Sequence, residues 1–405
     1  MRIGDQEANR LQVLKALRRA EPVSRSELAK LTGLSGATIT EIVADLLSRD
    51  LLLEEKAPPG GMGRRRVQLW LNPGAAYVVG AYLGTDAGLN VEINNLRGEK
   101  LFVRTAPISP PPTVEQFVDQ IADILDETIA ASPFEKAAIH SIGLALPALI
   151  DSDSGVLHWL QTFPPQPVPI ASIIERRVEL PVIVDNTVNV AARAEHWFGD
   201  DRQVDDFSMF MLGLGMGFGR YVDGALWSGA HGINPEMSHV KMGLEGGLRC
   251  NCGARGCLTT YCTISGVVQR VCEGRGQTTP PYEQMTALFH DFVAQARAGD
   301  RLVWDAFNLA GRALGTAVAN YLNTWDPARV LILVTDGALA EVITPSFYAA
   351  LQENTLPVLR GRAPVQIKVA EEARYSQGAA ALVLERLYRS YSRRPADHAA
   401  LAAAT

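Results

Sequence analysis

All five cysteines of this 405-residue chain fall between Cys250 and Cys272, and three of them follow the spacing Cys-x-Cys-x4-Cys. A histidine, His239, precedes them on the same glycine-rich stretch. Three thiolates and one imidazole make a closed tetrahedral ligand set of the kind that holds structural zinc. We therefore predict one structural zinc ion per chain. Its predicted ligands are His239, Cys250, Cys252 and Cys257.

The number and placement of the cysteines argue against a disulfide framework, because five is odd and all of them are clustered. Gly253 and Gly256 allow the backbone to turn tightly around a metal ion. A catalytic zinc ion is a weaker alternative, because it would need an open ligand position. The alternative without a metal is that these are four unrelated core residues. Cys262 and Cys272 stand among apolar residues, which predicts two buried free thiols.

The first 72 residues carry the pattern of three helices followed by a β-hairpin. Ser24 and Glu27 fit a capping box at the start of the second helix. Gly33 predicts the turn after it, and Ser35 predicts the N-cap of a third helix. Helix, short turn, helix and hairpin is the order of a winged helix-turn-helix, which binds DNA through the third helix. The alternative is a generic three-helix bundle.

Charge is distributed unevenly along the chain. Residues 1–72 contain 12 Lys+Arg and 9 Asp+Glu, a net charge of +3, whereas the whole chain has a formal net charge of −6. A mildly basic head on an acidic body permits nucleic-acid binding by the head only. A charge of +3 is also within chance variation, so it decides little by itself.

The predicted third helix has no Arg or Lys before Arg49, although arginine to guanine is the commonest specific base contact. Positive charge stands instead on the glycine-flanked linker inside the hairpin, which suits a narrow A·T-rich minor groove. The alternative for this linker is a solvated basic loop. The predicted DNA contacts are Ser35, Thr38, Thr40, Glu41, Arg64, Arg65 and Arg66.

After Asn72-Pro73-Gly74 the pattern changes to strands that alternate with helices, which predicts an α/β body of two lobes. We expect the winged helix-turn-helix in residues 1–72 and the first lobe in residues 73–190. We expect the second lobe, with the zinc site, in residues 191–375. A helix at about 376–391 is expected to return to the first lobe, and residues 392–405 are expected to form a disordered tail.

The chain resembles the ROK family (repressor, open reading frame, kinase). The resemblance extends from the head to about Tyr391. The most specific match is Pro235–His239 followed by the CNCGARGC cluster, and Ile142–Asp151 and Val184–Glu195 match further family segments. The resemblance implies a two-lobed actin/hexokinase-like fold, also called ribonuclease H-like. The head with its Gly-Arg linker resembles the repressor branch of the family.

Several positions depart from what the resemblance implies for a kinase. Tyr82 stands at the acidic position before the first phosphate loop, where one glycine is also missing, and Leu214 replaces the hydroxyl residue of the second loop. Thr187 stands where the general base belongs, and Asp336 interrupts the late Gly-Gly turn. Phosphoryl transfer needs a base and donors around the phosphates, so these losses predict a chain without enzymatic activity.

The sugar contacts implied by the resemblance are retained only in part. Asn186, Glu236 and His239 are kept, whereas Thr187 and Thr259 replace two carboxylates. Carboxylates suit neighbouring sugar hydroxyls because each accepts two hydrogen bonds, so an ordinary hexose should bind weakly. The expected effector is therefore a sugar or sugar derivative that is modified or larger than a hexose, and the alternative is a body that binds no sugar.

The sequence predicts a DNA-binding transcriptional regulator, a repressor of carbohydrate genes, with a non-catalytic kinase-like sensor. Its partners would be a double-stranded operator, the effector and further copies of the chain in a homodimer or higher homo-oligomer. The start MRIGDQEANR has no apolar core and no apolar run reaches ~18 residues, so we expect a cytoplasmic protein without membrane contact. The alternatives are a ROK sugar kinase with a regulatory DNA-binding head, and a constitutive repressor whose sensor has decayed.

Overall fold

The computed structural model describes residues 4–56, 67–84, 88–109, 113–160, 162–199, 202, 204–243 and 246–393. The chain divides into two compact units. The first unit contains Met1–Asn186, Arg193–Gln203 and Arg374–Thr405, and the second contains Thr187–Ala192 and Val204–Ala373. Nothing in the described residues is both long and apolar enough to serve as a membrane-spanning helix.

The head has the predicted order of helices and strands. Its elements are α1 (Asp5–Ala20), α2 (Arg25–Thr32), α3 (Gly36–Ser48), β1 (Leu52–Lys56) and β2 (Val67–Leu71). Ser24 and Glu27 form the capping box, which confirms that prediction. Gly33 ends α2 with a left-handed φ of 70°, and the Ser35 side chain accepts a hydrogen bond from the Thr38 backbone, as predicted. β1 and β2 pair antiparallel.

The rest of the first unit is a five-stranded sheet with helices packed on it. Its strands are β3 (Tyr77–Leu83), β4 (Gly88–Asn95), β5 (Lys100–Pro107), β6 (Ile139–Leu146) and β9 (Val182–Asn186), in the order β5-β4-β3-β6-β9. A hairpin, β7 (Ala148–Asp151) and β8 (Val156–Leu160), lies beside it. The helices are α4 (Val114–Ala131), α5 (Ile170–Val178), the end of α6 (Thr187–Phe198) and α12 (Ala373–Tyr391).

Two glycines explain why α12 can lie directly on this sheet. A Cβ atom at Gly80 would lie 2.1 Å from the Ser376 carbonyl oxygen, and one at Gly143 would lie 2.1 Å from the Ala379 carbonyl oxygen. Only glycine permits so close an approach of helix backbone to strand. The other side of α12 joins the head, since Leu384, Leu387 and Tyr388 belong to the same apolar cluster as the head's core.

The second unit is built on another five-stranded sheet. Its strands are β10 (Phe207–Leu212), β11 (Met216–Val222), β12 (Ala225–Leu226), β13 (Val330–Val334) and β14 (Val365–Val369), in the order β12-β11-β10-β13-β14. Its helices are α7 (Thr259–Cys262), α8 (Ile264–Gly274), α9 (Met285–Arg297), α10 (Arg301–Trp325) and α11 (Gly337–Asn354). β10, β13 and β14 are parallel, and the apolar core lies between this sheet and the helices.

Two expected boundaries differ in the structure. Arg193–Gln203 groups with the first unit rather than the second, because α6 side chains in this stretch bind α12 and the head. Ser392 and Arg393, expected in the tail, are ordered against the head: Arg10 donates to the Ser392 carbonyl at 3.0 Å, and Arg393 pairs with Glu7 at 2.8 Å. Residues 394–405 lie outside the described residues.

Candidate functional site

The predicted metal ligands come together in the second unit. The ligand atoms of His239, Cys250, Cys252 and Cys257 all lie within 4.8 Å of one another. Cys250 Sγ is 3.6 Å from His239 Nδ1, and Cys252 Sγ is 3.7 Å from Cys257 Sγ. Bonds of about 2.3 Å to sulfur and about 2.0 Å to nitrogen in a tetrahedron give edges of about 3.5–3.8 Å. The cluster therefore has the size and the donor set to hold one metal ion.

The backbone around the cluster folds back on itself through glycines. Gly253 and Gly256 adopt φ values of +89° and +69°, which confirms their predicted role in the tight turns. The Cys250 amide donates to the Ala254 carbonyl at 2.8 Å, and the Gly256 amide donates to the Leu248 carbonyl at 3.1 Å. These bonds hold the thiols on one side of the loop.

Burial and a neighbouring lysine both affect the thiols of the cluster. Burial raises the pKa of the Cys250 thiol to about 12, so the thiolate that a metal ligand must be is unfavourable there without a compensating charge. Lys241 Nζ lies 2.8 Å from Cys257 Sγ, and this hydrogen bond raises the pKa of Lys241. Cys262 and Cys272 are buried outside the cluster, as predicted.

The predicted effector contact Glu236 lies three residues before His239, at the start of the same short helical turn. Ser238 Oγ donates to its carboxylate at 3.1 Å, and burial raises the pKa of Glu236. The preceding loop is fixed by Asn234, which exchanges side-chain hydrogen bonds with Asn189 at 2.5 and 2.7 Å. The third predicted contact, Asn186, ends β9 in the first unit.

The residues at the two positions that correspond to phosphate loops contact other parts of the chain. Tyr82 is 2% exposed and packs edge-on against Tyr375, with ring centroids 4.8 Å apart. In the second unit, Ser265 Oγ donates to the Leu214 carbonyl at 2.6 Å, and the Gly213 amide donates to the Gly215 carbonyl at 2.9 Å. Thr85, in the first loop, lies outside the described residues.

The groups needed for proton transfer are absent or occupied. Thr187 Oγ1 is buried, and the described residues offer it no hydrogen-bond partner. Asp185, the nearest carboxylate in sequence, is 1% exposed and accepts hydrogen bonds from Ser152 Oγ at 2.8 Å and Arg193 at 2.6 Å. A carboxylate committed to a guanidinium in this way is a poor general base.

The N-terminus of α11, at the position of the late Gly-Gly turn, is capped by its own side chain. Asp336 accepts a hydrogen bond from the Ala338 amide at 2.8 Å and lies 2.9 Å from His290 Nε2. Free amides at a helix N-terminus attract phosphate, whereas a carboxylate already bound there repels it. This end of the sheet therefore does not suit a nucleotide.

In the head, α3 presents a weakly polar surface. Ser35, Thr40 and Glu41 are exposed and Thr38 is half-buried. Thr40 Oγ1 donates to the Gly36 carbonyl at 2.8 Å, so its hydroxyl is used within the helix. Asp45, further along the helix, pairs with Arg10 and Arg49 at 3.5 Å. Arg64, Arg65 and Arg66 lie outside the described residues.

Arginines of α1 and the C-cap residue of α3, Arg49, bind the body, which sequence reasoning missed. Arg18 donates to the Trp197 carbonyl at 3.1 Å and lies 4.2 Å above the Trp197 ring, and Arg49 donates to the Tyr391 carbonyl at 2.7 Å. The sequence held one signal of such a contact, because Arg10 lies on the same face of α1 as its buried apolar residues.

Comparison with known proteins identifies the family. The ROK family model matches residues 82–386. The chain belongs to the ROK family. A xylose repressor of Caldicellulosiruptor bescii is 28% identical over 329 residues, which cover 80% of this chain and 82% of that protein. The DNA-binding transcriptional dual regulator NagC of Escherichia coli K12 is 25% identical, with 89% of this chain and 88% of that protein covered.

A solved structure extends the likeness over the head. The crystal structure of a ROK family transcriptional regulator, a homologue of the E. coli MLC protein, matches 96% of this chain and 98% of its own with a TM-score of 0.76 and 26% identity. The predicted fold class and ROK resemblance are thus confirmed. The likeness to named regulators over the whole chain agrees with the prediction that this ROK member is not an enzyme.

We expect no sugar to stimulate ATP hydrolysis above background. Thr187→Asp should not restore turnover, because Tyr82, the Leu214 loop and the capped α11 remain. Thr187→Asn, which offers no base, is the matched control and should behave identically. The measurement is mass-spectrometric detection of sugar phosphate after incubation with ATP and a sugar panel. Phosphorylated sugar from the unaltered chain would contradict the assignment.

Proposed function

We propose that this chain is a transcriptional repressor of carbohydrate genes whose kinase-like body binds an effector instead of phosphorylating it. The supporting observation is the combination of a helix-turn-helix head with a body whose base position holds Thr187 and whose Asp185 is bound to Arg193. The similar proteins named as xylose repressor and as NagC support a role in sugar-dependent regulation.

The head would bind the operator through α3 and the linker of residues 57–66. The exposed Thr40 keeps its methyl group available for a thymine methyl, since its hydroxyl is bonded to Gly36, and Glu41 can accept from cytosine. Arg64, Arg65 and Arg66 would supply phosphate or minor-groove contacts. A homodimer would place two heads on two half-sites of a palindromic operator.

The effector would be a sugar or sugar derivative held by Asn186, Glu236 and His239. The ion in the cluster would be structural zinc, one per chain, because four protein ligands close its coordination sphere. With Nδ1 of His239 directed at the cluster, Nε2 of the ring remains for a ligand hydroxyl. Zinc would therefore fix both the His239 ring and the turn that carries Glu236.

The test is operator binding in the presence of sugars. DNA selected from a random pool by the full-length chain should be bound tightly, and one member of a panel of pentoses, hexoses and N-acetylhexosamines should release it. Glu236→Gln should bind the DNA normally but respond poorly to the sugar, because the amide accepts fewer hydrogen bonds than the carboxylate. Glu371→Gln is the control for the same chemical change. A chain that selects no DNA would contradict the proposal.

A further inference from the structure

A buried arginine of the first unit, Arg193, binds two carboxylates from different elements. Its Nη1 lies 2.6 Å from Asp185 Oδ2 at the end of β9, and its Nε lies 3.0 Å from Glu385 Oε2 on α12. The Arg193 residue is 7% exposed. Because a buried guanidinium strongly favours keeping its partners, displacement of either carboxylate should move the arginine and with it the other carboxylate.

One end of this contact reaches a predicted effector residue. Asp185 Oδ1 accepts a hydrogen bond from the Asn186 backbone amide at 2.8 Å and another from Ser152 Oγ at 2.8 Å. The position of the Asn186 backbone is thus tied to the Asp185 carboxylate, which in turn is tied to Arg193.

The other end reaches the head. Glu385 Oε1 accepts a hydrogen bond from Trp197 Nε1 at 3.0 Å. The Trp197 ring lies 4.2 Å below the Arg18 guanidinium, and the Trp197 carbonyl accepts a hydrogen bond from Arg18 at 3.1 Å. Arg18 stands in the last turn of α1.

We propose that Asp185, Arg193, Glu385 and Trp197 form a polar relay through which the segment at Asn186 controls the position of the DNA-binding head. Arg193 is a positioning residue, because it contacts neither effector nor DNA and acts by joining the two carboxylates. The regulatory role of this relay rests on the proposed function. An effector that shifts Asn186 would move the Asp185 carboxylate and change the hydrogen-bond partners of Arg193. Glu385 and Trp197 would then move, and α1 would loosen from the body.

The first experiment measures amide hydrogen exchange in α1 of the full-length chain, without DNA or sugar. Arg193→Met and Trp197→Phe should each speed exchange in Asp5–Ala20 by about fivefold or more. Arg193→Lys, which keeps the charge, should restore part of the protection. Arg275→Met is the matched control, because it removes an arginine paired with Asp300 in the second unit and should leave α1 unchanged. Parental exchange in folded Arg193→Met and Trp197→Phe would overturn the relay.

The second experiment measures affinity for the selected DNA with and without D-xylose or N-acetyl-D-glucosamine. In the parent, the sugar should weaken binding, and in Trp197→Phe the ratio of the two affinities should fall toward one. Trp197→Phe that folds and responds like the parent overturns the relay. A parent that selects no DNA, or whose DNA binding no sugar of the panel weakens, counts against the proposed function, and the exchange experiment then decides the relay alone.

Discussion

Replacing Cys252 by serine is expected to remove most of the bound zinc and to destabilise the second unit by several kcal/mol. Structural zinc binds zinc-finger peptides with an apparent free energy of about 10–16 kcal/mol, and that energy is folding energy. Cys252 is the informative ligand because it is exposed, so its substitution disturbs metal binding with little loss of packing.

Cys272→Ser is the control for the zinc prediction. It makes the same chemical change at a buried thiol outside the cluster and should cost packing but no zinc. Metal content by plasma mass spectrometry and unfolding by urea are the two measurements. The zinc assignment fails if chelator-treated protein unfolds at the same urea concentration as untreated protein.

The double variant Arg64→Ala/Arg65→Ala is expected to weaken operator binding by orders of magnitude. A groove-inserted arginine is worth about 1–3 kcal/mol, and each lost phosphate contact lowers the salt slope by about one unit. In a dimer each loss counts twice. The structure strengthens this expectation, because Arg10, Arg18 and Arg49 of the head are used in contacts with the body or within the head.

Arg104→Ala/Lys136→Ala is the control for the linker. It removes the same charge from two exposed ion pairs of the first unit and should leave DNA affinity nearly unchanged. Thr40→Ala should instead change the preference among operator variants with a smaller loss of affinity. The measurement is a binding titration at several salt concentrations. A double arginine variant with parental affinity and salt slope would mean that the linker does not contact DNA.

The elements that obey local rules were predictable from the sequence. The Ser24–Glu27 capping box, the left-handed Gly33 and the Cys-x-Cys-x4-Cys loop each depend on neighbours within a few residues, and each is found as predicted. The ROK motifs extended the prediction to the two-lobed body. The substitutions Tyr82, Thr187 and Leu214 could be read at once because the motif defines what each position should contain.

Contacts between distant segments were not predictable in this way. Neither Gly80 nor Gly143 carries a signal that α12 will lie against it, and an arginine on α1 resembles any surface arginine until its partner is known. Trp197 carries no sequence signal of its partners, whereas in the structure it bridges Glu385 and Arg18. The proposed regulation of the head depends on such long-range pairs, which only the structure shows.

The most direct test of the proposed repressor function is the titration of selected DNA with the full-length chain at fixed salt, in the presence and absence of each sugar of the panel. A sugar-responsive repressor should bind the DNA tightly and selectively, and one sugar should weaken this binding by about fivefold or more. No phosphorylated sugar should form in the presence of ATP. Sequence-independent binding that no sugar alters, together with sugar phosphate among the products, would contradict it.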